Sequence, residues 1–229
     1  LGLGNIEGMR FFLKENQLPI KAGVVLEGGS IGRLSHAALG ILRGSIDCRL
    51  PMGFKYSRFG RGGAIPVINK IIHKILQIPI PSEPKTSIIL GSVEGGTSYN
   101  APAMRATLRF EIRSVETEMV KSLELQLQEI IEEVQASTGM VITLTEAAVR
   151  TAGGIPYGHP LVKNARSIFK TLDINAELAP STGELAALIE NEIPGITIGL
   201  TEGDFRHEFN EQIEIEPLYT GMAQLIGIL

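Results

Sequence analysis

The sequence predicts an α/β fold: a parallel-rich, catalytic-type sheet, discontinuous and incomplete, with a ferredoxin-like βαββαβ module inserted into it. Three observations predict it. Residues 45–145 carry strand and helix patterns in the order β-α-β-β-α-β. The flanks hold short apolar runs, AGVVLE (22–27) and GITIGL (195–200), of the kind shown by parallel strands buried on both faces. Neither flank alone is long enough for a good core, so the two are expected to combine into one domain. The expected divisions are 1–42, 43–149 and 150–229.

In the module, SIDCRL (45–50) alternates, with Ile46, Cys48 and Leu50 on one face. AIPVINKIIHKIL (64–76) places Ile65, Ile68, Ile72 and Ile75 at helical spacing. TSIILGSV (86–93) reads as a second strand, and EGGTSYNAP (94–102) as a loop that Pro102 keeps from being helical. MRATLRFEIR (104–113) alternates strictly: Met104, Ala106, Leu108, Phe110 and Ile112 inward, Arg105, Thr107, Arg109, Glu111 and Arg113 outward. A long amphipathic helix (117–137) ends at Gly139, and MVITLT (140–145) closes the module. Such a layer leaves one sheet face open. It is either a self-contained α+β domain or a dimerisation or lid module.

The flanks supply a short helix at 4–15, the strand ending on Glu27, and a helix over 159–172 with Leu161, Ala165, Ile168 and Leu172 on one face. Strands at 174–178 and 195–200 enclose a helix at 185–190, and a helix over 217–228 ends the sequence.

Composition narrows the partners. The chain has 229 residues, 44% hydrophobic and 20% charged, with net charge −4, which provides no basic footprint for nucleic acid or an anionic membrane. No apolar run reaches membrane-span length, and no signal-peptide pattern opens the sequence. The single cysteine, Cys48, excludes an internal disulfide framework and fits a reducing, cytoplasmic setting. On the apolar face of a strand it reads as a core residue rather than a nucleophile.

Open α/β sheets hold their sites beyond the carboxyl ends of the strands. Glu27 stands at one such end, before Gly28-Gly29, and His207 lies shortly after the strand 195–200. Carboxylate and neutral imidazole are both zinc ligands, and Glu211 could orient the imidazole from behind. A strand-end Glu is also an ordinary turn residue, and a loop His an ordinary surface group. Both readings stand on these features alone. His73 reads as a helix-surface residue and His159 as a turn former at a helix start, while His36 shows no partner. No serine elbow, phosphate loop or dinucleotide fingerprint is present.

The whole chain resembles the later, larger part of the co-catalytic zinc metallopeptidases and amidohydrolases, the family of glutamate carboxypeptidase, acetylornithine deacetylase, succinyl-diaminopimelate desuccinylase and the aminoacylases. GLGNIEGMRFFL (2–13), VVLEGG (24–29), GGTSYNAPAMRATLRFEIRS (95–114), STGELAALIENEIPGITIG (181–199) and RHEFNEQIEI (206–215) carry the resemblance together, in order. It implies that Glu27 and His207 bind metal, with Glu211 behind the histidine. It further implies that Asn100 and Arg113 meet a substrate carboxylate, Arg113 by a bidentate pair. In the family chemistry two zinc ions polarise the scissile carbonyl of a peptide or N-acyl amino acid and a glutamate moves the proton. The inserted module pairs two subunits in a homodimer.

The departures are specific. The family's His-x-Asp, bridging Asp and Glu-Glu pair have no counterpart, so the general base is expected upstream of Leu1 and the sequence is expected to be a fragment. Phe54 stands where the family has a histidine that helps stabilise the oxyanion. Glu184 best matches an Asp of the Ser-Thr-Asp-Ala-Asn block, and Ala186 falls where Asn is expected. Three expectations remain: part of an active amide hydrolase, a catalytically dead dimerising relative, or a small-ligand-binding α/β protein. Zinc is not expected to be held stably by this chain alone.

Overall fold

Along the chain the elements begin α1 (Glu7–Glu15), β1 (Gly23–Glu27), β2 (Arg33–Ser35), β3 (Ala37–Ala38) and β4 (Gly40–Arg49). They continue α2 (Ala64–Ile75), β5 (Thr86–Gly95), β6 (Arg105–Ser114), α3 (Thr117–Thr138), β7 (Val141–Arg150) and β8 (Gly153–Gly154). Then come α4 (Pro160–Thr171), β9 (Glu177–Leu178), α5 (Leu185–Glu190), β10 (Gly195–Gly199), β11 (Gly203–Asp204), β12 (Gln212–Ile213) and α6 (Glu216–Ile228). The structure, a computed structural model, describes residues 4–53, 62–205 and 209–229. Two units emerge, one built on Gly40–Arg150 and the other on Ile6–Leu39 with Thr151–Leu229.

The first unit is an antiparallel sheet in the order β5-β6-β4-β7. With α2 between β4 and β5, and α3 between β6 and β7, this is the split-βαβ arrangement the sequence predicts. Its core draws Leu42, Ile46 and Cys48 from β4, Leu108 and Ile112 from β6, Ile68 and Ile71 from α2, and Leu123 and Leu127 from α3. Burying each such aliphatic side chain contributes about 1.5–3 kcal/mol. Gly139, left-handed at φ 67°, ends α3.

Three details differ from the sequence expectation. Met104 lies before β6 and is 63% exposed, so the inward row starts at Ala106. In α2 the buried stripe is Val67, Ile68, Ile71 and Ile75, with Ile65 47% exposed. Apolar residues cover more than half of this helix, so spacing alone leaves its inward face undecided. Finally, β4 begins five residues earlier than expected, at Gly40. Its first three residues, Gly40, Ile41 and Leu42, are all buried, so no alternation marks its start, and opposite Arg43 and Gly44 its neighbour β7 carries an extra residue, Ala147. Gly44 is needed there, since a Cβ would stand 2.9 Å from Phe110 Cζ and 3.0 Å from the Thr145 carbonyl oxygen.

The second unit is a mixed sheet in the order β1-β10-β2-β9. β1 pairs parallel with β10 and β2 with β9, while β2 runs antiparallel to β10. The antiparallel strand is only three residues long, too short to show a period, and it makes the sheet less parallel than its apolar runs predict. One face packs Val25 against Leu185 and Leu188 of α5, with Met9 and Leu13 of α1 alongside. The other packs Leu34, Ile196 and Ile198 against Val162, Ala165 and Phe169 of α4 and Ile228 of α6. The α4 stripe is thus turned from the expected 161/165/168/172, with Leu161 and Ile168 half-buried at its margin. His159 caps α4, its Nδ1 accepting from the Leu161 amide at 3.2 Å.

Candidate functional site

In the second unit the parallel neighbours β1 and β10 end together, Glu27 opposite Gly199. The Leu200 amide donates to the Glu27 carbonyl at 2.9 Å, closing the pair. β2 begins at this same end of the sheet, on the other side of β10. Arg33, its first residue, places Nη1 2.8 Å from Glu27 Oε2. The chain returns between the two through Gly28, Gly29 and a left-handed Ser30 (φ 58°). This loop lies so close that a Cβ on Gly199 would be 2.0 Å from the Ser30 carbonyl oxygen. Glycine at 199 is what lets the loop cross the strand end.

Beside Glu27 is a buried polar row. Ser35, Thr197 and Ser181 are fully buried, and Thr197 Oγ1 donates to Ser181 Oγ at 3.4 Å. Ser181 Oγ also accepts from the Gly183 amide at 3.1 Å. Ser181 is anchored by its backbone, which bonds Ala37 and Leu39 on both sides at 2.8 and 2.9 Å. A Cβ on Gly183 would approach Glu27 Oε1 at 3.7 Å, so the 181–183 segment borders the carboxylate.

The first unit presents charge on its open sheet face. Arg105, Arg109 and Arg113 follow one another at every fourth residue of β6, and each meets an acid. Arg105 Nε bonds Asp47 Oδ1 at 2.6 Å, Arg109 meets Glu94, and Arg113 meets Glu111. Glu111 is only 9% exposed and also receives Arg43 from β4. Burial pushes the Glu111 carboxyl up, but the Arg43 and Arg113 guanidiniums together outweigh it and hold it below the usual carboxylate range. A cleft of about 400 Å³ lies over this cluster, with Arg43, Arg109, Glu111 and Arg113 beside the apolar Ile89 and Ala147.

The expected site residues fall as follows. Glu27 is at the strand end, paired with Arg33. His207 and Phe54 lie outside the described residues. Glu211 is exposed, next to β12, and Glu184 is exposed at the start of α5. Asn100 is exposed in the β5–β6 connection, its Oδ1 accepting from Ser98 Oγ at 2.7 Å. It precedes β6, whereas Arg113 nearly ends it. Eight strand steps lie between Arg105 and Arg113, about 27 Å at the usual rise, so one chain does not bring Asn100 and Arg113 onto one carboxylate. Cys48 is buried, its thiol pushed up to about 11 by burial, which suits a core residue and not a nucleophile.

Arg33, Arg43 and Glu111 were not singled out in the sequence. A signal for Glu111 was present: residues two apart on a strand share a face, so it had to lie beside Arg113. Arg33 and Arg43 depend on cross-strand pairing, which no local pattern encodes.

Among the described residues no three of His, Cys, Asp or Glu gather as a metal-binding group. Glu27 is already neutralised by a guanidinium. The described residues therefore do not by themselves fit a two-metal centre. Also among them, no helix is long and apolar enough to cross a membrane.

Residues 43–139 match the family described as the peptidase dimerisation domain. No curated protein matches the sequence. Among solved structures, the aminopeptidase PepT from Bacillus cereus ATCC 10987 is similar at TM-score 0.77 and 19% identity, over 98% of this chain and 61% of its own. A tripeptidase from Staphylococcus aureus subsp. aureus Mu50 is similar at TM-score 0.77 and 20% identity, over 97% and 61%. The Bacillus subtilis YXEP protein, described as a dinuclear metal binding peptidase from the M20 family, is similar at TM-score 0.64 and 16% identity, over 96% and 60%. The chain thus spans about three-fifths of the length of these structures. The chain therefore carries a peptidase dimerisation domain at 43–139 and shares its fold with these structures over nearly its whole length.

Proposed function

We propose that this chain is the later part of a zinc-dependent hydrolase that cleaves an amide bond in a peptide or N-acyl amino acid and works as a homodimer. The observation that carries it is the peptidase dimerisation domain at 43–139, flanked by segments with the fold of peptidases. Glu27, at the carboxyl end of β1, and His207 would be two of the metal ligands, with Glu211 behind the histidine. When bound, the metal would supply Lewis-acid polarisation of the scissile carbonyl. Two ligands do not complete such a centre, so the general base and the other ligands would come from residues beyond this sequence, and the chain alone would be inactive. Arg113 would read a free substrate carboxylate through its guanidinium fork. Asn100, at the far end of β6, would serve a site other than the one Arg113 serves, as a dimer permits. Glu184 would border the substrate beside the 181–183 segment.

The test is an assay of the product of the entire coding sequence, purified with zinc, on tripeptides and N-acetyl amino acids, each paired with its carboxyl-terminal amide. Hydrolysis of the free acids alone, abolished by a chelator, is the expected result. A dimer with no hydrolysis across the panel would instead favour a catalytically inactive relative. Phe54 in place of a hydrogen-bonding histidine, and the guanidinium of Arg33 on Glu27, are the observations on that side.

A further inference from the structure

The Arg43–Glu111–Arg113 cluster lies wholly within the first unit, on the sheet face opposite its helices. Glu111 Oε2 accepts from Arg43 Nε and Oε1 accepts from Arg113 Nε. Each oxygen thus receives one Nε–H donor. Arg113 makes no other hydrogen bond among the described residues, and its side chain is 39% exposed. Its two terminal nitrogens, the edge that forms parallel hydrogen bonds to a carboxylate, are left over on a residue that lines the cleft.

From this geometry we propose that Glu111 is a positioning residue: it grips Arg113 by Nε and aims the terminal edge of its guanidinium at a ligand carboxylate. The proposal rests on Arg113 as the substrate-carboxylate reader.

An arginine side chain has many rotamers, and holding one in advance removes that cost from ligand binding. The guanidiniums of Arg43 and Arg113 would also repel each other; the nearly buried carboxylate between them draws them together. The group of three carries a net charge of +1, which one further carboxylate would balance. Ile89 and Ala147 supply an apolar wall. The ligand class is therefore a monocarboxylate with an apolar substituent near the acid, such as the carboxyl-terminal residue of a small peptide or N-acyl amino acid.

A plain counter-ion would behave in the opposite way. If Glu111 merely competed for Arg113, its removal would strengthen carboxylate binding, because the cleft would gain positive charge.

The experiment titrates this chain with N-acetyl-L-leucine and, separately, its carboxyl-terminal amide, followed by NMR of the arginine Nε–H signals. The unaltered chain should bind the acid in preference to the amide. Glu111→Gln should weaken acid binding about tenfold and move the Arg113 Nε–H signal to that of a solvated arginine. Glu111→Asp should restore part of both. Equal or tighter binding by Glu111→Gln, with Arg113→Ala still abolishing it, would overturn the positioning role and leave Arg113 as the reader. No preference for the acid in the unaltered chain, or none lost in Arg113→Ala, would overturn the reading of Arg113 itself. Should Glu111→Gln fail to fold, Glu111→Asp decides: an unchanged affinity and an unchanged Arg113 signal would contradict the proposal.

Discussion

Glu27 and Glu111 are both carboxylates held by arginine, and their surroundings separate their roles. Glu27 meets one guanidinium at a strand end that solvent reaches, whereas Glu111 is enclosed between two. For Glu27, replacing Arg33 by Met should cost about 1 kcal/mol, the upper range for a pair that solvent still reaches. In thermal unfolding that is a fall of roughly 2–4 °C for a chain of this size. No change would mean that the pair is fully screened.

For Glu111 the sign follows from its lowered pKa in the folded chain. Such a group adds stability above its unfolded value and loses it as pH falls through its folded value. The unaltered chain should therefore lose stability on acidification more steeply than Glu111→Gln, the two converging once the carboxyl is protonated. Parallel stability-against-pH curves would contradict the bracketing of Glu111 by Arg43 and Arg113. Glu124 is shifted the other way, by burial first and then by Glu146 nearby, so Glu124→Gln should gain stability at neutral pH. Melting curves at neutral and acid pH would show this as a gain that vanishes when the carboxyl is protonated.

At the scale of elements, the first unit is carried by the interlock of α3 with the sheet. Leu127 is fully buried there, and Leu127→Ala should cost about 2–5 kcal/mol in denaturant unfolding. Its strands and helices were legible because one face of each is buried and the other is wet, which writes a period into the sequence. The failures share a cause. β4 opens on three buried residues that show no alternation, α2 is too apolar to declare one face, and β2 is too short to show a period at all. Likewise the strand end carrying Glu27 was legible from VVLEGG, but its partner Arg33 was not. Their meeting is decided by β10 lying between β1 and β2, a fact of tertiary pairing. Gly199 belongs to that same crossing: Gly199→Ala would drive a methyl into the Ser30 carbonyl and should destabilise the second unit.

For the molecule as a whole, the dimerisation domain predicts self-association through residues 45–145. Light scattering at high micromolar concentration should find a dimer, and a strict monomer would contradict the homodimer. Under the proposed function, this chain would hold part of a metal centre and not all of it. The direct measurement is zinc content by elemental analysis after exhaustive dialysis, made on this chain and on the product of the entire coding sequence. Less than one firmly held zinc per chain here, against two in the longer product, is the predicted result. Two zinc ions held by this chain alone, or none held by the longer product, would contradict it.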